Sequence, residues 1–238
     1  AGFAEAKLNL WDRLFGTAGI RQDEYNTFGS ATTYRVTGGY LHKETGTKLR
    51  GSYGTGFRAP TINQLYFPGF GNPNLKPEKS KGLDIALEQS LLSDRVFLSV
   101  GYFWTRYQNL ILSVFDPVGC ASIPDTQGFC AKNIGSSMAE GIEANAKVQL
   151  VRDRPWIKSL DIQFQYTHTS TRNETDNANT RLPKWPLNQW SAILSYQPIE
   201  AVRANLEGRF VGQRFNDTSN DESLPHFYVW NASFTYDL

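Results

Sequence analysis

Sulfur and histidine are scarce in this 238-residue sequence, and neither charge sign is in excess: there is one Met, two Cys and three His, and 24 Lys and Arg against 23 Asp and Glu leave a net charge of +1. A balance this even excludes the basic footprint of a nucleic-acid binder, and it excludes an acidic tail. No stretch approaches the roughly 18 consecutive apolar residues that a membrane-spanning helix needs, so a helical membrane protein is excluded as well. His42, His168 and His226 are too scattered to hold a metal. There is no G-x-S-x-G elbow, no P-loop and no G-x-G-x-x-G run, and carboxylates such as Glu143 and Asp153 have no evident enclosing pocket. The expectation is a protein that is not an enzyme, with no cofactor and no metal.

What is abundant is aromatic and turn-forming: 15 Phe, 11 Tyr, 6 Trp and 20 Gly, in a chain that is 40% hydrophobic. From Gly141 to Leu150, Ile142, Ala144, Ala146, Val148 and Leu150 alternate with Glu143, Asn145, Lys147 and Gln149. Period two means a strand with one apolar and one wet face. The pattern returns at Leu160 to Tyr166 and at Tyr228 to Tyr236, and more weakly at Val202 to Glu207 and Ala4 to Leu10. It predicts eleven strands, near 1–10, 14–23, 31–41, 47–56, 80–91, 95–107, 139–151, 158–169, 189–197, 201–212 and 227–237.

The connections between these strands alternate short and long. Short ones fall at 11–13, 43–46, 92–94, 152–157 and 198–200, and long ones at 24–30, 57–79, 108–138, 170–188 and 212–226. Short turns on one rim and long loops on the other predict an all-β, transmembrane antiparallel β-barrel of the outer-membrane type. A soluble sandwich gives no reason for the alternation. Such a barrel places aromatics at its interfaces, and Trp11, Tyr40, Tyr102, Trp104, Trp190, Tyr196, Trp230 and Tyr236 sit near strand ends. Its inward faces would carry Lys48, Arg50, Asp84, Glu88, Glu143, Lys147, Arg203, Glu207 and Arg209.

The only two cysteines, Cys120 and Cys130, lie in one loop rich in Pro, Gly and Asp. One local disulfide is the expected state, which implies an oxidising compartment; two free thiols are the alternative. Closing so small a loop stabilises by roughly 2–3 kcal/mol in the chain-entropy description. The first ten residues alternate and do not form a secretory signal. Either a leader has been removed, or the chain is an internal piece.

Two runs are more specific than any period: G-S-Y-G-T-G-F-R-A-P-T-I-N-Q-L-Y from Gly51 to Tyr66 and G-N-P-N-L-K-P-E-K-S from Gly71 to Ser80. Together with A-G-I-R-Q-D-E-Y from Ala18 and M-A-E-G-I-E-A from Met138, they resemble the barrel of TonB-dependent outer-membrane receptors. That resemblance covers nearly the whole chain and implies one barrel domain over 1–238, about half of a 22-stranded barrel, located in the bacterial outer membrane in contact with its lipid. It also implies a plug domain that this chain does not contain, a TonB-type energy-coupling partner acting through the plug and its N-terminal box, and active uptake of a scarce large nutrient such as a metal-siderophore complex or cobalamin. Two open edges in lipid would be prohibitively costly, so the expectation is a piece of a longer assembly.

Long loops carrying aromatics above a polar lumen suit capture of an amphipathic ligand by stacking and hydrogen bonding. The ligand-binding candidates are Arg58, Tyr66, Phe67, Phe70, Phe115, Phe129, Trp185 and Arg214. Pro60, Pro73 and Pro77 are expected to stiffen the 57–79 loop, and Glu78 to anchor it to a lumen cation. The alternatives from other classes are a passive porin and a surface binding or adhesion protein that uses the barrel as an anchor.

Overall fold

A computed structural model describes residues 1–123, 127–175 and 180–237. In chain order its elements are β1 (Gly2–Leu10), β2 (Leu14–Tyr25), β3 (Gly29–His42), β4 (Thr47–Arg58), α1 (Ile62–Tyr66), β5 (Glu78–Leu91), β6 (Val96–Phe115), β7 (Phe129–Arg154), β8 (Ile157–Asn173), β9 (Asn188–Gln197), β10 (Val202–Val211), β11 (Arg214–Phe215), β12 (Ser223–Leu224) and β13 (Phe227–Tyr236). Eleven of these strands form a single antiparallel sheet in the order β1-β2-β3-β4-β5-β6-β7-β8-β9-β10-β13. Every strand lies beside its sequence neighbour; only the small β11–β12 hairpin intervenes between the last two. Among the described residues no helix is long and apolar enough to cross a membrane.

The predicted short turns are tight. Leu10 accepts from the Arg13 N–H, with Trp11 and Asp12 both at positive φ between them. Leu92 accepts from Arg95 around Ser93 and Asp94, again both at positive φ. Two left-handed central residues match the twist of the flanking strands.

The strands are longer than the sequence pattern predicts at the opposite rim. The largest departure is the expected loop 108–138: β6 continues to Phe115 and β7 begins at Phe129, so most of that segment is paired strand. Beyond the lipid band the alternation of apolar and polar residues fades, so the sequence carries no strand period there. Hydrogen bonding and a local core hold the extension instead: Val114, Cys120, Ile123 and Cys130 are buried together with Leu112 against them. Cys120 and Cys130 are disulfide-bonded, with Cα atoms 5.9 Å apart.

Register fixes the two faces. Lys48 pairs with Glu88, Ser52 with Asp84, Gly101 with Glu143, Lys147 with Gln163, and Glu207 with both Ile193 and Asn231. These positions share one face, which is polar and ion-paired: Lys48 Nζ lies 3.1 Å and Arg50 Nε 2.5 Å from the two oxygens of Glu88, and Ser52 donates to Asp84 at 3.0 Å. The other face carries Leu8, Ile20, Val36, Leu49, Ile85, Leu87, Val100, Ile142, Phe164, Leu194 and Leu206, all exposed; Leu87 is 52% and Val100 56% exposed. A large exposed apolar face backed by a charged one is the inverse of a soluble core and matches a wall between lipid and a wet lumen. Of the expected interfacial aromatics, Tyr40, Tyr102, Trp104, Trp190, Tyr196, Trp230 and Tyr236 lie on the apolar face by register, and Trp11 sits in a short turn.

Leu87→Arg, near mid-height of the apolar face, is expected to lower stability in lipid by about 2–4 kcal/mol, whereas Gln165→Arg on the lumen face changes it by less than about 0.5 kcal/mol. Equilibrium refolding of the intact barrel into vesicles measures both.

Candidate functional site at the long-loop rim

The most specific sequence run becomes a docked structure. After β4 ends at Arg58, Thr61 caps α1 in a reciprocal box: its side chain accepts from the Gln64 N–H at 3.2 Å, and Gln64 Oε1 accepts from the Thr61 N–H at 3.0 Å. Gly71 then passes so close to α1 that a Cβ there would lie 2.5 Å from the Phe67 nitrogen and 2.7 Å from that of Tyr66. Only glycine fits such a backbone approach. Asn72 forms an Asx turn with Asn74 and donates to the Ala131 carbonyl at 3.0 Å. Asn133 completes the junction, accepting from the Lys76 N–H at 2.8 Å and donating to the carbonyls of Lys76 and Asn109. Leu65 and Leu75 from the loop bury against Ile111 and Ala131 of the β6–β7 extension, with Phe28 and Phe70 packed on them.

Glu78 is the keystone at the base. It is 8% exposed, it receives a two-pronged interaction from Arg58, with Nη2 at 2.7 Å, and its Oε1 accepts from the Ile111 N–H at 2.7 Å. One carboxylate ties the end of β4, the start of β5 and the interior of β6. The anchoring expected of Glu78 is therefore present, and its cation is Arg58.

The sequence-predicted candidates fall into two groups. Phe70 and Phe129 touch, with ring centroids 5.7 Å apart, and Phe115 lies directly opposite Phe129 in register. Tyr66 and Phe67 sit at the end of α1 and are 62% and 56% exposed. Arg58 belongs beside this group, but its guanidinium is engaged by Glu78. Trp185 and Arg214 lie elsewhere: the Lys184 N–H donates to the Phe215 carbonyl at 2.6 Å, and Arg214 stacks 5.1 Å from the Phe227 ring centre. Sequence reasoning missed Gly71, Asn72 and Asn133; the first two lie in the recognised run, whereas nothing in the sequence marks Asn133.

No group of three or more metal-ligating side chains is gathered among the described residues. His42 contacts Thr45 and Glu44, His168 contacts Asn188, and His226 packs against Phe210 and Tyr228. Asp153 is paired with Lys158 in the short-turn region, ten residues along β7 from Glu143. In the 212–226 loop, Asp217 accepts from Ser219 and from the N–H groups of Glu222 and Asp221, which lowers its pKa to about 2. Asp116 is likewise held below the ordinary carboxylate value, first by Lys132 at 2.6 Å and then by the Gly119 N–H at 2.8 Å.

The family model described as TonB dependent receptor-like, beta-barrel matches residues 1–238. The chain belongs to the TonB-dependent receptor family. It is 34% identical over 131 residues to the vitamin B12 transporter BtuB of Vibrio vulnificus, covering 54% of this chain and 19% of that protein. It is 26% identical over 256 residues to the iron-regulated outer membrane virulence protein of Vibrio cholerae, covering all of this chain and 38% of that protein. In structure it is similar to a ferric enterobactin receptor, PfeA, of Pseudomonas aeruginosa, with a TM-score of 0.76 at 20% identity over 99% of this chain and 37% of that one. The chain thus spans well under half the length of these relatives. Family membership places this TonB-dependent receptor sheet in the outer membrane and gives the exposed apolar face its lipid.

Glu78→Ala is expected to leave the Ile111 N–H and Arg58 unpartnered and to weaken the receptor's loop docking by about 1–3 kcal/mol; hydrogen exchange at Ile111 and proteolysis within 59–77 measure it. Because the folded pKa of Asp217 is depressed, its contribution to the 212–226 loop is complete above the unfolded value near 4 and is lost as pH falls toward about 2. Spectroscopy of a probe in that loop should show the change in this window, and Asp217→Asn should abolish it.

Proposed function

We propose that the chain is half of the barrel of an outer-membrane receptor that takes up a scarce, large nutrient by an energy-dependent route, with a metal-siderophore complex or a cobalamin-like corrinoid as the substrate class. The observation that carries this reading is the group Tyr66, Phe67 and Phe70, presented at the rim above a polar lumen by a loop that is buttressed at Glu78, Gly71 and Asn133, beside Phe115 and Phe129 at the facing ends of β6 and β7. Aromatics on a rigid support, exposed at Tyr66, Phe67, Phe115 and Phe129 and half-buried at Phe70, offer stacking area at little entropic cost, which suits a bulky ligand with flat or apolar surfaces. The names of the relatives, a vitamin B12 transporter and a ferric enterobactin receptor, support the same substrate class.

In this reading residues 1–238 are part of one barrel domain. Among the described residues β1 and β13 each have a strand neighbour on one side only, and in lipid their free backbone groups require further strands. The lumen is then filled by a plug, and a TonB-type protein supplies the force that moves it. No catalytic step is assigned, and the relatives' names favour uptake over a passive pore or an anchored adhesin.

The test uses the full-length receptor. Intrinsic tryptophan fluorescence should report saturable binding of a ferric siderophore or of cyanocobalamin, and combined Tyr66→Ala, Phe67→Ala and Phe115→Ala should weaken it by at least about tenfold, as loss of central aromatic contacts does. Uptake should stop in cells lacking the energy-coupling protein. Undiminished binding by the triple variant, or uptake without coupling, would overturn the reading.

A further inference from the structure

The β3–β4 ladder ends at Arg35 opposite Gly54, although both strands go on. Above that point β3 stays paired to β2 alone and β4 to β5 alone. The split begins where the Tyr34 N–H turns to the Thr55 hydroxyl at 3.1 Å instead of to a β4 carbonyl. A cleft of about 570 Å³ opens there.

Its chemistry is one-sided. Lys76, Lys79, Lys81 and Arg106 line it together with Tyr34 and Phe57. By strand alternation Lys81 shares the outward face with Leu83, Ile85 and Leu87, and Arg106 shares it with Trp104, Tyr102 and Val100. Lys79, Lys81 and Arg106 therefore sit directly above the lipid band, outside the barrel and away from the lumen. Arg106 is matched by Glu174, which also feels Arg172. Lys76, Lys79 and Lys81 have no ion-pair partner among the described residues. The other acids on this face are Glu140, which accepts from the Tyr102 hydroxyl at 2.8 Å, and Glu24, opposite Ser30; neither lines the cleft. Lys79 and Lys81 are two residues apart on one strand, so their Cα atoms are separated by about 6.6–7 Å and their ammonium groups can flank one phosphate.

We propose that this outward cleft binds the phosphorylated head group of a glycolipid in the outer leaflet, with Lys79 and Lys81 on the phosphate and acyl chains lying on Leu83, Ile85 and Val100. The unpaired strand edges of β3 and β4 supply backbone donors and acceptors for the sugar. Charge complementarity and continuity with the apolar band select a lipid over a soluble anion: a phosphate alone uses the lysines, whereas only an amphiphile uses both surfaces. The inference rests on the long-loop rim facing outside, which protease accessibility of those loops in intact cells decides separately.

The experiment uses full-length receptor in phosphatidylcholine nanodiscs and titrates a diphosphorylated, multiply acylated glucosamine lipid, its dephosphorylated counterpart, and inorganic phosphate. No nutrient ligand is present, so the result is independent of the uptake reading. The phosphorylated lipid should bind at least about tenfold more tightly than the dephosphorylated one, and Lys79→Ala with Lys81→Ala should cost about 30-fold, the combined effect of two surface cations. Lys43→Ala, at the opposite rim, should leave binding unchanged, and retained heat-modifiable gel mobility establishes that each variant is folded. Equal binding of the two lipids, unchanged binding by the folded double variant, or displacement of the lipid by inorganic phosphate at matching concentration would each overturn the proposal.

Discussion

Hydrocarbon offers no hydrogen bonds, so every backbone N–H and C=O in the lipid band must find a partner in a neighbouring strand. That constraint shapes the whole sheet. It explains why each strand lies beside its sequence neighbour in one continuous sheet, why the turns at one rim are short enough to need left-handed residues such as Trp11, Asp12, Ser93 and Asp94, and why β3 and β4 part only above the band. The split between β3 and β4 falls at that upper limit, where water and polar head groups again satisfy free backbone groups.

Above the band the stabilising logic changes from ladder to docking. Single polar side chains join segments distant in sequence: Glu78 ties Arg58 to the Ile111 backbone, and Asn133 ties Lys76 to Asn109. The disulfide and the cluster around Val114 and Ile123 do the same for the β6–β7 extension. Phe67 and Phe70, which lie outside the strand ladder, gain a fixed position from these joints. A receptor surface can thus diverge in its loop tips while the supports beneath them stay put.

The architecture was legible because lipid and lumen impose opposite polarity on alternate residues. Ile142 to Leu150 alternate with Glu143 to Gln149 for that reason, and all eleven strands emerged from the same pattern. Legibility failed where the two solvents no longer differ. Residues 109–115 and 129–136 lie above the lipid and lack clean alternation, so a long paired extension reads in sequence as loop. At the site, the aromatics and the anchoring role of Glu78 could be named from the recognised run; that Arg58 is the cation Glu78 engages could not, because it depends on β4 and β5 meeting in register.

What the sequence determined by itself is the class of wall: period-two strands, short and long connections in turn, a charged inner face and an apolar outer one, all consequences of local alternation and turn chemistry. What only the tertiary structure decided is which side chains meet. Arg58 is drawn to Glu78, Phe70 to Phe129, and Lys79 and Lys81 are left facing outward over the lipid band without acidic partners among the described residues. Those outcomes depend on the pairing of strands and on where each ladder stops, and register is a property of the assembled sheet that no single strand encodes.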